Sequence, residues 1–416
     1  MDTVAVQRLG DDLGEYVSDV FGSLRFVLWR GRAGDYLRGL MLDGRRKSIQ
    51  PMAARLAGPH EQALNHFVTN SPWDVAPVRR RIAERMQVAL AGPAWAIDDT
   101  GLLKYGKASP CVARQYTGTA GKITNCQVAV SVSLVTETAS CPVDWRLFLP
   151  EAWDPASPKA TEDVDHRRRR AQIPDTVRHR PKWRLALEMI DELLGWGLRP
   201  SVLVADAGYG DAGEFRQALA ERGIDYAMQV AHTITAYPLE VERTTVPYCG
   251  DGPYPKKIYR QPAPTVRDLL LQAGEKAARR VTWRDSSRRR NGRPVPMSSR
   301  FVFQRVRPAG PAIRSAHLGQ DLPEAWLIAE WPADEPEPVK YWLSNLPATT
   351  AKRTLIRLAK LRWRIEHDYR EVKTGLGLDH YEGRTWQGWH HHTTLVSAAH
   401  AFLTLQRLDP KTRAPE

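Results

Sequence analysis

At 416 residues the chain exceeds the usual length of one domain, so two or three structural units are expected. Its 60 lysines and arginines outnumber 47 acids, and the formal net charge of +13 favours a polyanionic partner: DNA, RNA or an anionic membrane. The four cysteines form no C-x-x-C pair, which excludes a zinc knuckle. No apolar run approaches the ~20 residues of a membrane span, and the sequence therefore predicts a soluble cytoplasmic protein.

The leading segment, residues 1–88, has a helical pattern. Apolar residues recur at three- and four-residue spacing in YVSDVFGSLRFVLWR and YLRGLMLDG, as in amphipathic helices. Basic residues interrupt and follow these helices: Arg30, Arg32, Arg38, Arg45, Arg46, Lys47, Arg79, Arg80, Arg81 and Arg85. The segment is interpreted as a helical domain that binds DNA ends, with a solvated helix face as the alternative.

Strand patterns begin after residue 93. AWAIDD, NCQVAVSVSLVTE and SCPVDWRLFLP indicate three strands, and WRLALEMIDELLGWG indicates a helix. SVLVADAGYGD, AGEFRQALAERG and DYAMQV then indicate a strand, a helix and a strand. This order predicts a mixed α/β sheet flanked by helices and matches the opening of the ribonuclease-H-like fold.

Residues 231–339 interrupt the pattern with segments rich in Pro, Arg and Gly and are predicted to form a β-rich insertion. YWLSNLP resumes the sheet, TTAKRTLIRLAKLRWRIEHDYREVKTGLG indicates one long helix, and LVSAAHAFLTLQRL a last one. The predicted division is therefore 1–88, 89–230, 231–339, 340–408 and a tail, 409–416.

Acidic residues stand at three informative places. Asp98 and Asp99 end a buried strand pattern, and because neighbouring strand residues face opposite ways only one of them is expected in a site. Asp206 ends a second apolar run, and Glu366 lies in the long helix. The plain alternatives are a turn for Asp98–Asp99 and a helix cap for Asp206.

Four of the charged residues of the long helix, Arg362, Glu366, Arg370 and Lys373, follow each other at spacings of four, four and three. These spacings predict one shared helix face. A ladder of surface ion pairs, each contributing a few tenths of a kcal/mol, is the alternative to a functional face.

Several stretches together resemble the DDE transposases of bacterial insertion sequences: IDDTG, VADAGYG and LRWRIEHDYREVKTGLGLDHYEGR. The motif of the related cut-and-paste group (Tyr, two residues, Arg, three residues, Glu, six residues, Lys) is matched by Arg362, Glu366 and Lys373, whereas Ala359 stands at its tyrosine. GKASPCVARQYTGTAGKITNCQVAVSV, RKSIQPMAARL, SPWD and EGRTWQGWHHH sharpen the resemblance towards the insertion-sequence family 701.

This resemblance implies a DNA transposase with a ribonuclease-H-like core. Asp99, Asp206 and Glu366 match the catalytic and metal-binding acids, with Asp99 preferred because it directly precedes Thr100. Two Mg²⁺ ions, replaceable by Mn²⁺, are expected, because hard cations prefer carboxylate oxygens. The hypothesis is that Asp99 bridges both ions while Asp206 and Glu366 hold one each.

The expected partner is double-stranded DNA, as terminal inverted repeats and target, held by a homodimer on paired ends. Arg362 and Lys373 match positions that contact phosphates, and Arg370 shares their predicted face. Two alternatives stay open: a catalytically silent protein that binds transposon ends, and a related nuclease that cuts without integrating.

Aromatic residues near the end of the sequence give weaker clues. Trp386 and Trp389 fit core packing better than base stacking. Because three consecutive helix residues point in different directions, His390, His391 and His392 fit a solvated or partly buried face better than a metal site.

Overall fold

The protein is described by a computed structural model that covers residues 3–58, 61–251, 254–290 and 293–409. The chain forms two compact units: unit 1 contains residues 1–199 and 363–416, and unit 2 contains residues 200–362. Among the described residues, no helix is both long and apolar enough to cross a membrane.

Unit 1 combines an antiparallel sheet with helices from both ends of the sequence. Its helices are α1 (Thr3–Val20), α2 (Val27–Met41), α3 (Ile49–Ala53), α4 (Glu61–Thr69), α5 (Val75–Ala89), α6 (Val164–Ala171), α7 (Lys182–Gly195), α13 (Trp363–Arg370) and α14 (Trp386–Leu408). Its strands are β1 (Ala94–Leu103), β2 (Ala113–Thr117), β3 (Lys122–Val135) and β4 (Ser140–Leu147). The helical N-terminal segment, the three predicted strands, α7 and α14 are confirmed, whereas β2 and α6 are additional elements.

Strand β3 is the centre of the unit 1 sheet. Strand β1 runs antiparallel along one edge of β3, while β2 and β4 follow each other along the other edge. Eight residues of β1 are buried, as expected of the apolar run AWAI covered by helices on both faces.

Helix α14 anchors the N-terminal helices of unit 1 to its sheet. The Tyr16 hydroxyl donates to the Ala398 carbonyl over 2.9 Å, and the Trp145 indole on β4 donates to the Ser397 hydroxyl over 2.9 Å. Helices α2, α4 and α5 also pack on α14. The first and last helices of the sequence therefore share one core.

Unit 2 contains the remaining elements. Its strands are β5 (Leu203–Ala205), β6 (Tyr226–Val230), β7 (Ala236–Pro238), β8 (Arg279–Arg290), β9 (Arg293–Pro308), β10 (Ala325–Glu330) and β11 (Lys340–Ser344). Its helices are α8 (Ala207–Gly210), α9 (Gly213–Glu221), α10 (Val266–Ala273), α11 (Pro311–Ala316) and α12 (Lys352–Lys360).

The unit 2 sheet is mixed. Strands β5 and β6 are parallel, and β11, β10 and β9 follow β6 in antiparallel order. Strands β7 and β8 both pair with β9. The segment 231–339 is β-rich as predicted, but its strands β9 and β10 continue the sheet of β6 and β11.

The succession of elements along the chain identifies the fold. A three-stranded antiparallel meander (β1, β3, β4) precedes α7, and two parallel strands, β5 and β6, are linked by α8 and α9. This is the succession of the ribonuclease-H-like fold, and the prediction of a mixed α/β sheet flanked by helices is confirmed.

Candidate active site

The two neighbouring aspartates of β1 lie on opposite faces of the unit 1 sheet. Asp98 pairs with Ser131 and Asp99 with Val130, and directly paired residues of antiparallel strands share a face. The Ser131 hydroxyl lies 2.8 Å from the Tyr369 hydroxyl on α13. The buried Asp98 therefore belongs to the face that α13 covers.

Asp99 belongs to the face covered by α7. One of its carboxylate oxygens accepts a hydrogen bond from the Lys182 ammonium over 2.9 Å, at the first residue of α7. Asp99, the aspartate preferred in the sequence analysis for its position before Thr100, therefore lies on the α7 face of the sheet. The adjacent Asp98 is the β1 aspartate on the α13 face.

Glu366 is exposed in the first turn of α13, a helix that packs on β1, β3 and β4. Residues three apart lie on the same side of a helix, so Glu366 and Tyr369 share a side. Tyr369 contacts Ser131, the cross-strand neighbour of Asp98. Unit 1 thus directs Asp98 and Glu366 towards one side of its sheet.

The single long helix predicted around Glu366 is wrong. Helix α12 ends at Lys360, α13 covers Trp363–Arg370, and a π-helical turn follows at Glu371–Gly375. The Leu376 amide donates to the Glu371 carbonyl over 3.1 Å, a spacing of five residues. Because a π turn is wider than an α turn, the helix face of Glu366 and Arg370 does not continue to Lys373.

Lys373 bends back towards β1 instead. Its ammonium donates to the Gly101 carbonyl over 2.9 Å and to the Thr119 hydroxyl over 2.8 Å. Burial lowers the pKa of Lys373, and the carboxylates of Asp379 and Asp98 oppose this lowering. Lys373 therefore places positive charge near Asp98.

A second half-buried lysine near β1 was missed by the sequence analysis. The Lys104 ammonium donates to the carbonyls of Tyr381 and Asp379 over 2.5 and 3.4 Å. Burial lowers the pKa of Lys104 to about 8. Its only signal in the sequence is a cation directly after the apolar pair Leu102–Leu103.

Asp206 directly follows β5 in unit 2 and is the N-cap of α8. Its side chain accepts a hydrogen bond from the Gly208 amide over 2.9 Å. Helix α8 packs closely on β6, since a Cβ atom at Gly210 would lie 1.9 Å from the Gln229 carbonyl oxygen. The motif VADAGYG thus combines a capping acid with a glycine that permits close packing.

Asp98 and Glu366 of unit 1 carry carboxylate oxygens, which are hard donors of the kind that suits Mg²⁺ or Mn²⁺. Asp206 belongs to unit 2. Within the described part of the chain, no three His, Cys, Asp or Glu side chains form a cluster that could hold a metal ion.

The sequence pattern of the DDE superfamily endonucleases matches residues 26–290, which is more than half of the chain. The chain belongs to this family. The matched region contains Asp98, Asp99 and Asp206 and ends before Glu366. The candidacy of Glu366 as a site residue is therefore supported by its own motif and by the geometry of α13.

One similar protein is the probable transposase for insertion sequence element IS701 of Microchaete diplosiphon, with 30% identity over 195 residues. The aligned region is 46% of each protein, so the chain spans about half the length of this curated relative. A similar solved structure is that of the piggyBac transposase synaptic complex with hairpin DNA, with 10% sequence identity and a TM-score of 0.42. The match covers 91% of this chain and 65% of that chain. The resemblance to DDE transposases, and to the family 701 in particular, is confirmed.

Two of the three consecutive histidines, His391 and His392, are more deeply buried than predicted. His391 lies between the carbonyl oxygens of Val68 and Trp73, at 2.8 and 2.9 Å, and stacks on the Trp73 ring. His392 contacts the Tyr36 hydroxyl at 2.9 Å. These contacts identify His391 and His392 as core residues.

The two tryptophans of α14 differ in exposure. Trp389 is 1% exposed, which confirms its predicted packing role. Trp386 is half-buried, and its ring centroid lies 4.6 Å from that of His390.

The burial of His392 predicts acid sensitivity of the DDE endonuclease fold. Burial lowers the folded-state pKa of His392 to about 3, whereas an unfolded histidine titrates near ~6.5. At a pH between these two pKa values the unfolded chain binds a proton that the folded chain does not. The contribution of neutral His392 to the free energy of unfolding is therefore complete above about pH 6.5 and falls as the pH decreases. The loss reaches about 1.4 kcal/mol per pH unit.

We expect His392→Gln to lose less stability on acidification than the parent protein, by roughly 2 kcal/mol between about pH 7 and about pH 5. Urea unfolding at both pH values measures this difference. His166→Gln, at an exposed histidine, is the matched control and should follow the parent. Equal acid sensitivity of His392→Gln and the parent would contradict the burial argument.

Proposed function

We propose that this DDE endonuclease is a DNA transposase that cleaves insertion-sequence ends and joins them to target DNA with divalent metal ions. The observation that carries the proposal is the contact of α13 with β1 and β3, where the 2.8 Å Ser131–Tyr369 hydrogen bond lies on the side of Asp98 and Glu366. Family membership and the similarity to an insertion-sequence transposase support it.

The proposed metal ligands in unit 1 are Asp98 and Glu366, and Asp206, the remaining acid of the sequence-based set, is the proposed ligand in unit 2. Two bound Mg²⁺ or Mn²⁺ ions would activate water or a 3′-hydroxyl and stabilise charge on the attacked phosphate. Asp98 replaces the Asp99 of the sequence-based set. Asp99 then serves as the partner of Lys182 at the start of α7.

The basic residues around these acids have separate roles in the proposal. Lys373 fixes Thr119, in the β2–β3 connection, against β1 and provides positive charge near Asp98. Arg370 is exposed in the last turn of α13 and Arg362 is half-buried, and both offer guanidinium groups to DNA phosphates.

The proposed partners are the terminal inverted repeats of an insertion sequence and target DNA. A homodimer on paired ends is part of this proposal. The net charge of +13 supports binding to a polyanion.

Cleavage of a labelled insertion-sequence end tests the activity. We expect nicking with Mg²⁺ or Mn²⁺, none after chelation, and a loss on the order of 10³-fold in Glu366→Gln, equivalent to about 4 kcal/mol in the barrier. DNA binding by Glu366→Gln should stay within about twofold of the parent, because the change leaves the basic residues intact.

The matched control is Glu382→Gln, which neutralises an exposed glutamate of the same unit. This variant should cleave like the parent. Full activity of Glu366→Gln, or cleavage that survives chelation, would disprove the proposed metal site. Strand-transfer products in a plasmid assay distinguish a transposase from a nuclease that only cuts.

A further inference from the structure

The hairpin of β8 and β9 carries a dense concentration of positive charge. Residues 279–300 contain eight arginines and a single acid, Asp285. Such a density of one sign attracts a polyanion and repels other cationic surfaces. Neither the metal-ligand proposal nor the family motifs use this hairpin.

The outer part of the hairpin is a two-stranded ribbon. Strand β10 pairs with β9 from Phe301 to Val306, whereas β8 pairs with β9 as far as Arg290 and Arg293. The β9 residues from Arg293 to Arg300 thus extend past the end of β10 by about 23 Å, at ~3.3 Å per residue. Two register irregularities in β8 add local twist to this ribbon.

Apolar packing holds the base of the ribbon. Trp283 and Phe301 belong to a buried cluster with Leu355, Ile356 and Ala359, the last three from α12. Further out, β9 is exposed from Arg293 to Pro296. The ribbon therefore has a fixed base and a tip accessible to a partner.

The charges of the ribbon oppose its own folding. Arg280 on β8 lies directly opposite Arg300 on β9. Like charges at paired positions of antiparallel strands are destabilising. Glu275 compensates Arg300 at the base, but in the described part of the chain no carboxylate pairs with Arg279, Arg289 or Arg293.

We propose that this ribbon is a DNA-binding arm that lies along duplex DNA and neutralises backbone phosphates. A two-stranded β-ribbon has the width that the major groove admits, and its arginines can reach the phosphates on both sides. This inference rests on the proposed function in one respect, namely that the substrate is DNA. Charge that merely keeps the edge strand β8 from pairing with other chains is the competing explanation.

The salt dependence of DNA binding tests the arm. Arg279→Ala/Arg289→Ala/Arg293→Ala should lower the slope of log affinity against log salt by about 2 to 3, and the affinity at about 0.1 M salt on the order of a hundredfold. The matched control is Arg260→Ala/Arg314→Ala/Arg353→Ala, which removes the same charge from exposed positions of unit 2. This control should retain most of the affinity and slope.

Two duplexes, an insertion-sequence end and an unrelated sequence, distinguish the sources of the phosphates. Equal losses of affinity on both duplexes support contact with the DNA backbone. A loss of affinity on the insertion-sequence end alone supports an arm placed on that end. A slope unchanged from the parent on both duplexes overturns the proposal. Arg293→Glu, a single exposed change at the tip, tests the same contact if the triple variant unfolds, with retention of the parental slope again refuting the arm.

Failure of the arm and failure of the proposed function give different results. An arm variant that regains the parental cleavage rate at saturating DNA supports an arm that acts in binding alone. A parent protein that binds both duplexes with a slope that depends on the arm, yet cuts neither, refutes the transposase and supports the arm.

Discussion

Asp98→Asn is expected to abolish DNA cleavage, with a loss on the order of 10³-fold, whereas Asp99→Asn should retain activity within about tenfold. Asp98 lies on the face of the sheet that α13 covers, and the amide that replaces its carboxylate is a weaker ligand for a hard cation. Asp99→Asn removes a half-exposed ion pair with Lys182 and leaves the α13 face intact. Initial rates of end cleavage under Mg²⁺ measure the difference.

These two variants form a matched pair, because each neutralises one aspartate of the same strand. Titration with Mn²⁺ provides a readout that does not need turnover, and Asp98→Asn should bind the ion more weakly than Asp99→Asn. The reverse order in both experiments would restore Asp99 as the metal ligand. Equal losses of cleavage activity in the two variants would show that the sheet face on which an aspartate lies does not decide its role in cleavage.

The largest expected effect on stability comes from Asp144→Ala. Asp144 is fully buried on β4 and accepts hydrogen bonds from Arg79 on α5 and from Arg146, the latter over 2.7 Å. Glu192 on α7 binds the same two arginines. Removing one member of a buried ion cluster leaves its partners undercompensated, at a cost of roughly 3–5 kcal/mol.

Urea unfolding of Asp144→Ala measures this loss. Asp19→Ala is the control, since Asp19 also binds two arginines, Arg81 and Arg85, but its side chain is 30% exposed. We expect the control to lose less than about 1 kcal/mol. Similar losses in the two variants would show that burial does not set the strength of these clusters.

The sequence predicted elements whose patterns are local. The apolar run before Asp206 made β5 recognisable, and the period-two pattern of NCQVAVSVSLVTE indicated β3. Strand β2 was missed because ARQYT is short and alternates half-exposed and exposed residues. Its pairing with β3 depends on contacts that a local pattern does not encode.

The acids of the candidate site could be recognised from the sequence as a group. The sheet face on which each aspartate of β1 lies could not. Asp98 and Asp99 are adjacent, so their assignment depends on which face α13 covers, and that is a tertiary property. The π turn after Arg370 likewise depends on the attachment of Lys373 to β1. Helical periodicity alone could not reveal it.

The packing of α14 has a consequence for biosynthesis. Residues 386–408 supply the surface on which α2, α4, α5 and β4 bury their apolar side chains. During translation these elements are made more than two hundred residues before α14, so they expose apolar surface until α14 is made. Unit 1 can therefore complete its folding only after α14 has been synthesised, and a nascent polypeptide that stops short of α14 becomes a substrate for chaperones and proteases.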